Sequence, residues 1–255
     1  MKRVLITGGP TNEYIDEVMK ITNMSTGSLS VTLGDYFRKN GYDVCLVLNN
    51  IVNADKLLHA DYGKENLRII RVETTEEMLK ALQKEGEQGE AYDIVIHAAA
   101  VGDYTGAFSF LMEDMAEEIF AECQRKGGFQ SAEEILKIMV DPKCKLKDDS
   151  KISSYQGNLT VKLGLTPKII ARLKEWYPEA VLVGCKLLEN VPKEELYDVA
   201  KELSKKNSMD YILANDLADL RKGDSTRHLV NKEGFTGTKL KTPEDIFVFF
   251  NDLIK

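Results

Sequence analysis

Metal-ligating and disulfide patterns are what this sequence most clearly lacks. Cys45, Cys123, Cys144 and Cys185 form no CxxC pair, and His59, His97 and His228 do not cluster with them. That excludes a zinc-ribbon site and a disulfide framework, and predicts free thiols in a reducing compartment. Basic residues are in the minority, 34 Lys and Arg against 41 Asp and Glu, for a net charge of −7. Nucleic acid and anionic membranes need a basic face, so neither is expected as a partner. No apolar run approaches the roughly 20 residues that span a bilayer. After Met1-Lys2-Arg3 the apolar stretch Val4-Leu5-Ile6 is too short for the core of a secretion signal. A soluble, cytoplasmic chain is the expectation. Internal repeats and low-complexity tracts are also missing. What is present is ordinary globular material: 255 residues, 43 % hydrophobic and 29 % charged, enough for a large α/β domain.

Compact runs rich in Val, Ile and Leu at 2–7, 43–48, 68–72, 93–97, 180–185 and 211–214 read as buried strands. Helical spacing fills the intervals. An amphipathic segment covers 29–40, and Thr74-Thr75-Glu76-Glu77 is a capping box opening a helix through residue 83. Thr166-Pro167 opens a helix over 169–177, Pro192 one over 194–205, and Thr242-Pro243 the last. The alternation predicts a Rossmann-like, doubly wound α/β fold with a mainly parallel sheet covered on both faces. Two stretches break the rhythm. Residues 151–163 carry a Gly157-Asn158 turn and predict a β-hairpin flap. Residues 107–150 read as a charged, largely helical insertion flanking the site, with ten acidic and six basic residues. The chain, 1–255, is expected to be a single domain bearing that insertion.

Ligands of open α/β sheets bind beyond the carboxyl ends of the strands, so the residues there carry the argument. Gly8 and Gly9 follow the first strand. They let backbone N–H groups approach a phosphate, or simply make a tight turn. Asn23, Ser25, Thr26 and Gly27 precede the 29–40 helix, as an anion site at a helix start or as an elaborate cap. Ala98, Ala99 and Ala100 are small enough for a flat base or ribose to lie on the strand end, and Asp103 can accept from hydroxyls. Lys186 offers charge for a triphosphate or is a solvated loop lysine; Asn215 and Asp216 are polar groups at the same edge.

Taken in order, Ile6-Thr7-Gly8-Gly9-Pro10-Thr11, Ile21-Thr22-Asn23 through Gly27, Ala98-Ala99-Ala100-Val101-Gly102-Asp103-Tyr104, Lys151-Ile152-Ser153, Lys186-Leu187 and Ala214-Asn215-Asp216 resemble phosphopantothenate–cysteine ligase (phosphopantothenoylcysteine synthetase). The likeness spans nearly the whole chain, apart from 107–150. It implies a step of coenzyme A biosynthesis in the stand-alone form of the enzyme. The carboxylate of 4′-phosphopantothenate attacks the α-phosphate of CTP, giving an acyl-cytidylate and pyrophosphate. The amine of L-cysteine then displaces CMP. By the same resemblance Asn23 holds the acyl-nucleotide, with Ser25, Thr26 and Gly27 on the substrate. Gly8, Gly9, Ala99, Ala100, Asp103, Lys186 and Asn215 face the nucleotide, and Lys151 meets its phosphates from the flap. Mg2+ bridges triphosphate oxygens, CTP is preferred with ATP as the other nucleotide, and the chain is a homodimer. Its joining strand pair would come from residues 227–231 and their neighbours.

Two other functions fit parts of the pattern. A short-chain NAD(P)-dependent oxidoreductase would use Leu5-Ile6-Thr7-Gly8-Gly9 and the Tyr197-x-x-x-Lys201 spacing. Against it, the spaced glycines of a dinucleotide loop are missing, and strand two ends in Leu48-Asn49-Asn50 without an acid for the ribose. A non-catalytic nucleotide sensor would keep nucleotide binding without turnover.

Overall fold

The computed structural model describes residues 1–58, 64–88, 91–146, 152–153, 155 and 157–255. In chain order its strands are β1 Arg3–Gly8, β2 Asn12–Tyr14, β3 Lys20–Thr22, β4 Asp43–Asn49, β5 Leu67–Val72, β6 Ile94–His97, β7 Tyr104–Leu111, β8 Leu159–Leu165, β9 Val181–Leu188, β10 Tyr211–Asp216, β11 Arg227–Asn231 and β12 Gly234–Leu240. Its α-helices are α1 Ser28–Lys39, α2 Asp55–Leu58, α3 Thr75–Glu87, α4 Met112–Lys126, α5 Ala132–Val140, α6 Leu173–Trp176, α7 Lys193–Asn207, α8 Leu217–Arg221 and α9 Pro243–Leu253. None of these helices is long and apolar enough to cross a membrane. The chain divides into two compact units.

The first unit comprises Met1–Thr11, Asn23–Val101 and Pro167–Lys255. Its eight strands lie in the order β12-β11-β10-β9-β6-β1-β4-β5. All six predicted strands are here and pair in parallel, and β11 and β12 add an antiparallel edge. Alternating side chains feed two cores. Val4 and Ile6 join Val31, Leu33 and Phe37 of α1 and Phe250 of α9 on one face. Leu5 joins Met78 and Leu82 of α3, Leu173 of α6 and Leu196 of α7 on the other. Each such side chain contributes roughly 1.5–3 kcal/mol when fully buried. That two-sided burial is why the strands read as continuous apolar runs. The chain runs from β1 through β4 to β5, then returns with β6 on the opposite side of β1. The carboxyl ends of β1 and β6 therefore flank the switch in strand order, where ligands of such sheets bind.

Two local readings change. The 169–177 helix is a 3-10 turn, Ile169–Ala171, followed by the short α6. Ile169, Leu173 and Tyr177 still bury at helical spacing, and Pro178 disfavours the helical backbone at Tyr177. The strand pair expected to join two copies is β11 with its neighbour β12. Residues 227–231 are themselves paired on both edges within the chain, with β10 and with β12, and β12 ends the sheet.

The second unit comprises Asn12–Thr22 and Gly102–Thr166. The second correction lies here. The arm Leu159–Leu165 pairs with β7, which begins far upstream at Tyr104; residues 151 and 154 of the expected other arm lie outside the described residues. The stretch from 107 is thus strand before it is helix, because Phe108 and Phe110 alternate inward onto Met115 of α4. Asn158 keeps the positive φ of a turn residue, 52°. β2 and β3 form a small antiparallel pair. Between them the buried Asp16 accepts the Val18 and Met19 amides through Oδ1, at 2.8 and 2.6 Å, and the Ile152 amide through Oδ2, at 3.0 Å.

Candidate functional site

β1 ends at Gly8, which backs onto Ser30 of α1. Gly9 follows at φ 84°, and Gly27, the N-cap of α1, stands at φ 69°. A Cβ on Gly9 would lie 2.4 Å from a Val52 methyl, and one on Gly27 2.7 Å from the same methyl and 3.0 Å from the Gly9 amide nitrogen. The two loops meet backbone to backbone over Val52, where only glycine fits both the left-handed φ and the space. No side chain caps Gly27 and no acid occupies the first turn of α1. The Ser28 amide is taken by the Thr26 hydroxyl, so the positive end of the helix and the Leu29 and Ser30 amides are what this turn offers an anion. Thr26 organises the loop: its hydroxyl accepts the Ser28 amide at 3.3 Å and donates to the Ser28 hydroxyl at 3.1 Å. The Ser25 amide donates to the Asn23 carbonyl at 3.1 Å.

The β6 end closes on the same point. The Ala100 amide donates to the Gly9 carbonyl at 2.9 Å and the Thr11 amide to the Ala100 carbonyl at 3.3 Å. Asn23 Nδ2 donates to the carbonyls of Ala100 and Val101, at 3.2 and 3.1 Å. Asn23, Gly9, Gly27 and Ala100 are thereby brought together. Just beneath, the Thr7 hydroxyl accepts the Ala99 amide at 3.1 Å and sits 2.9 Å from His97 Nδ1. Burial pulls the His97 pKa down to about 4, so the ring is neutral. The Thr7 hydroxyl thus ties the neutral ring to the Ala99 amide, with one lone pair on that amide and its other side on Nδ1. This network was not legible in the sequence, since only the strand register sets Thr7 opposite His97.

The remaining residues divide. Lys186 lies inside β9, opposite Ala214 and two positions past the Gly184–His97 pairing, and makes no ion pair among the described residues. Asn215 lies in β10, on the face of Leu213, while Lys186 follows the opposite face of Leu182. Asp216 is structural: it takes the amides of Asn190, Val191 and Ala218, at 3.0, 3.1 and 2.7 Å. Those bonds hold its carboxyl below the ordinary carboxylate range. Asp103 belongs to the second unit, exposed, with its carbonyl accepting the Thr166 amide at 3.1 Å. Lys151 lies outside the described residues. Tyr197 of the oxidoreductase spacing stacks on Phe235, with ring centroids 4.5 Å apart, and its hydroxyl bonds His228 Nδ1 at 2.8 Å. That is α7 packing on the sheet edge. Among the described residues no group of three or more His, Cys, Asp or Glu could hold a metal ion.

Residues 1–110 match the family described as DNA/pantothenate metabolism flavoprotein C-terminal domain. The coenzyme A biosynthesis bifunctional protein CoaBC of Thermococcus kodakarensis is 33 % identical over 216 residues, 85 % of this chain and 41 % of that protein. Its counterpart in Methanocaldococcus jannaschii is 29 % identical over 260 residues, 99 % of this chain and 51 % of that protein. The chain thus spans about half the length, or less, of these curated relatives. The solved DNA/pantothenate metabolism flavoprotein of Streptococcus pneumoniae superposes with a TM-score of 0.77 at 29 % identity, covering 100 % of this chain and 98 % of that one. Residues 1–110 thus match that domain family, and most of the chain is similar to part of the CoaBC proteins.

Proposed function

We propose that this protein joins L-cysteine to 4′-phosphopantothenate at the expense of a nucleoside triphosphate, CTP in preference to ATP, through an acyl-cytidylate. The observation that carries the reading is the meeting of Gly9, Gly27 and the start of α1 with Asn23 and Ala100 at the switch point. The motif order and the homology to CoaBC proteins support the substrate pair. In this reading the Gly9 amide and the first turn of α1 hold phosphoryl oxygens, neutralising charge as it moves during attack. Asn23, fixed on two carbonyls, keeps its amide oriented beside the activated carboxyl. Ser25 and Thr26 line the loop toward the substrate. The small Ala99 and Ala100 leave room for the nucleoside, and Lys186 and Asn215 serve the nucleotide edge. Asp103 and Lys151 enter on the family resemblance.

Mg2+ is proposed as a companion of the triphosphate rather than a resident of a protein cage. A hard divalent ion of this kind is satisfied by phosphate oxygens and water with one or two carboxylates at most. That suits a donor set without a cluster of ligands among the described residues. The proposed homodimer would join through the β11–β12 pair at the outer edge of β12, the last strand of the sheet.

The test is pyrophosphate release with 4′-phosphopantothenate and cysteine, comparing CTP, ATP and no nucleotide. Release that needs 4′-phosphopantothenate and is fastest with CTP supports the reading. Nucleotide binding without release would turn it into the sensor.

A further inference from the structure

One cation at this sheet edge has no role in the reading above. Arg227 opens β11 one residue before His228, which pairs with Ala214 of β10, so the same antiparallel register carried one residue further sets Arg227 across from Asn215. The side chain is half-buried, and its Nη1 donates to the Ser225 carbonyl at 2.9 Å. Among the described residues no carboxylate pairs with it. The carboxylate nearest in sequence, Asp224, is engaged with the Thr226 amide at 2.9 Å. The ionisable neighbour that does act on Arg227 is Cys185. Burial pushes that thiol up to about 11, so it stays neutral and supplies no counter-ion.

A guanidinium withdrawn from water without a counter-charge is unfavourable, and burial correspondingly weakens its hold on its proton. An oxyanion arriving at the crevice would relieve that cost and accept two parallel N–H bonds. This position is separate from the Gly9–Gly27 pair. β11 and β1 are four places apart in the sheet, ~19 Å at ordinary strand spacing, too far to share one phosphate.

We propose that Arg227 is a second anion-binding residue of this crevice, taking a phosphoryl oxyanion with Asn215 beside it. The proposal rests on the ligase reading for the source of that oxyanion, either the nucleotide triphosphate or 4′-phosphopantothenate. Asn215 had a nucleotide role from the motif order; Arg227 supplies the charge that an amide lacks.

Arg227→Gln and Arg227→Lys are to be compared with the wild type in steady-state pyrophosphate release and in thermal shift with CTP alone and with 4′-phosphopantothenate alone. Arg227→Gln is expected to raise the KM of one of the two phosphorylated substrates about tenfold. It should leave the KM for cysteine unchanged and abolish the thermal shift caused by that same compound. The compound affected identifies the source. Arg227→Lys should recover most of the affinity, because a point charge remains. Without ligand, Arg227→Gln should melt within about 2 °C of wild type or above it, since a costly buried charge is removed. The proposal is overturned if wild type turns over but Arg227→Gln keeps both KM values and both thermal shifts. It is equally overturned if both variants melt early and lose all ligands alike, the behaviour of a structural residue. If wild type releases no pyrophosphate, the ligase reading fails. Loss of a thermal shift in Arg227→Gln alone would then still uphold the anion site.

Discussion

Thr7 and His97 face each other across the β1–β6 pair, hydroxyl to Nδ1 at 2.9 Å, at the floor of the crevice. The hydroxyl bridges to the Ala99 amide, so the ring and the strand-end loop are held together. A protonated ring would place a charge in a fully buried site, which desolvation disfavours.

The pair predicts a pH dependence of stability. The folded His97 pKa lies at about 4, below the ordinary value of 6.5. Between these values the unfolded chain binds the proton and the folded chain does not, so stability rises with pH across that window. Acidification from neutral toward pH 4 should cost on the order of 1–3 kcal/mol from this residue alone. Urea unfolding from pH 4 to 7 on wild type and His97→Gln measures it. A slope that persists unchanged in the variant would assign the effect elsewhere.

Asn23→Asp tests the clamp on Ala100 and Val101. The amide that donates to two carbonyls becomes a carboxylate facing two acceptors, next to the expected acyl-phosphate. Overall turnover should fall at least ~100-fold, on the scale of other changes to charge stabilisation in a site. The clamp on the two carbonyls is lost and an added negative charge opposes the acyl-phosphate. Nucleotide should still bind and pyrophosphate appear as a burst without ligated product. Normal product formation would remove Asn23 from the chemistry.

Gly27→Ala must place a Cβ 2.7 Å from Val52 at a left-handed φ of 69°. Loss of about 1–3 kcal/mol is expected from strain and clash together. Adding Val52→Ala should return the steric part while the backbone part stays. Phosphate-dependent thermal shifts should weaken in the single variant, since the Gly9–Gly27 contact positions the start of α1. Wild-type stability in Gly27→Ala would argue against that packing.

The two candidate phosphate lysines can be separated. Under the proposed reaction Lys151→Gln should impair pyrophosphate release, and Lys186→Gln should raise the nucleotide KM about tenfold, as for a lost charged hydrogen bond. An unaffected first step in Lys151→Gln would transfer the main role to Lys186.

Composition and periodicity were enough for the six parallel strands, the capped helices α3 and α9, and the doubly wound class. Those features are local or depend on burial of both sheet faces, which writes itself into runs such as Val4-Leu5-Ile6 and Val44-Cys45-Leu46. The glycines and Asn23 were also legible, as an ordered set of motifs. Pairing between distant segments was not. Leu159–Leu165 has the alternation of a hairpin arm, and alternation alone cannot say that its partner is Tyr104–Leu111. Likewise nothing in Arg227–Asn231 signals that both of its edges are taken. Register and loop packing decided which polar groups meet: Thr7 with His97, and Asn23 with the Ala100 and Val101 carbonyls. Residue type and backbone preference are inscribed in the chain, but the company each side chain keeps depends on contacts between residues far apart in sequence, and only the packed sheet makes those contacts.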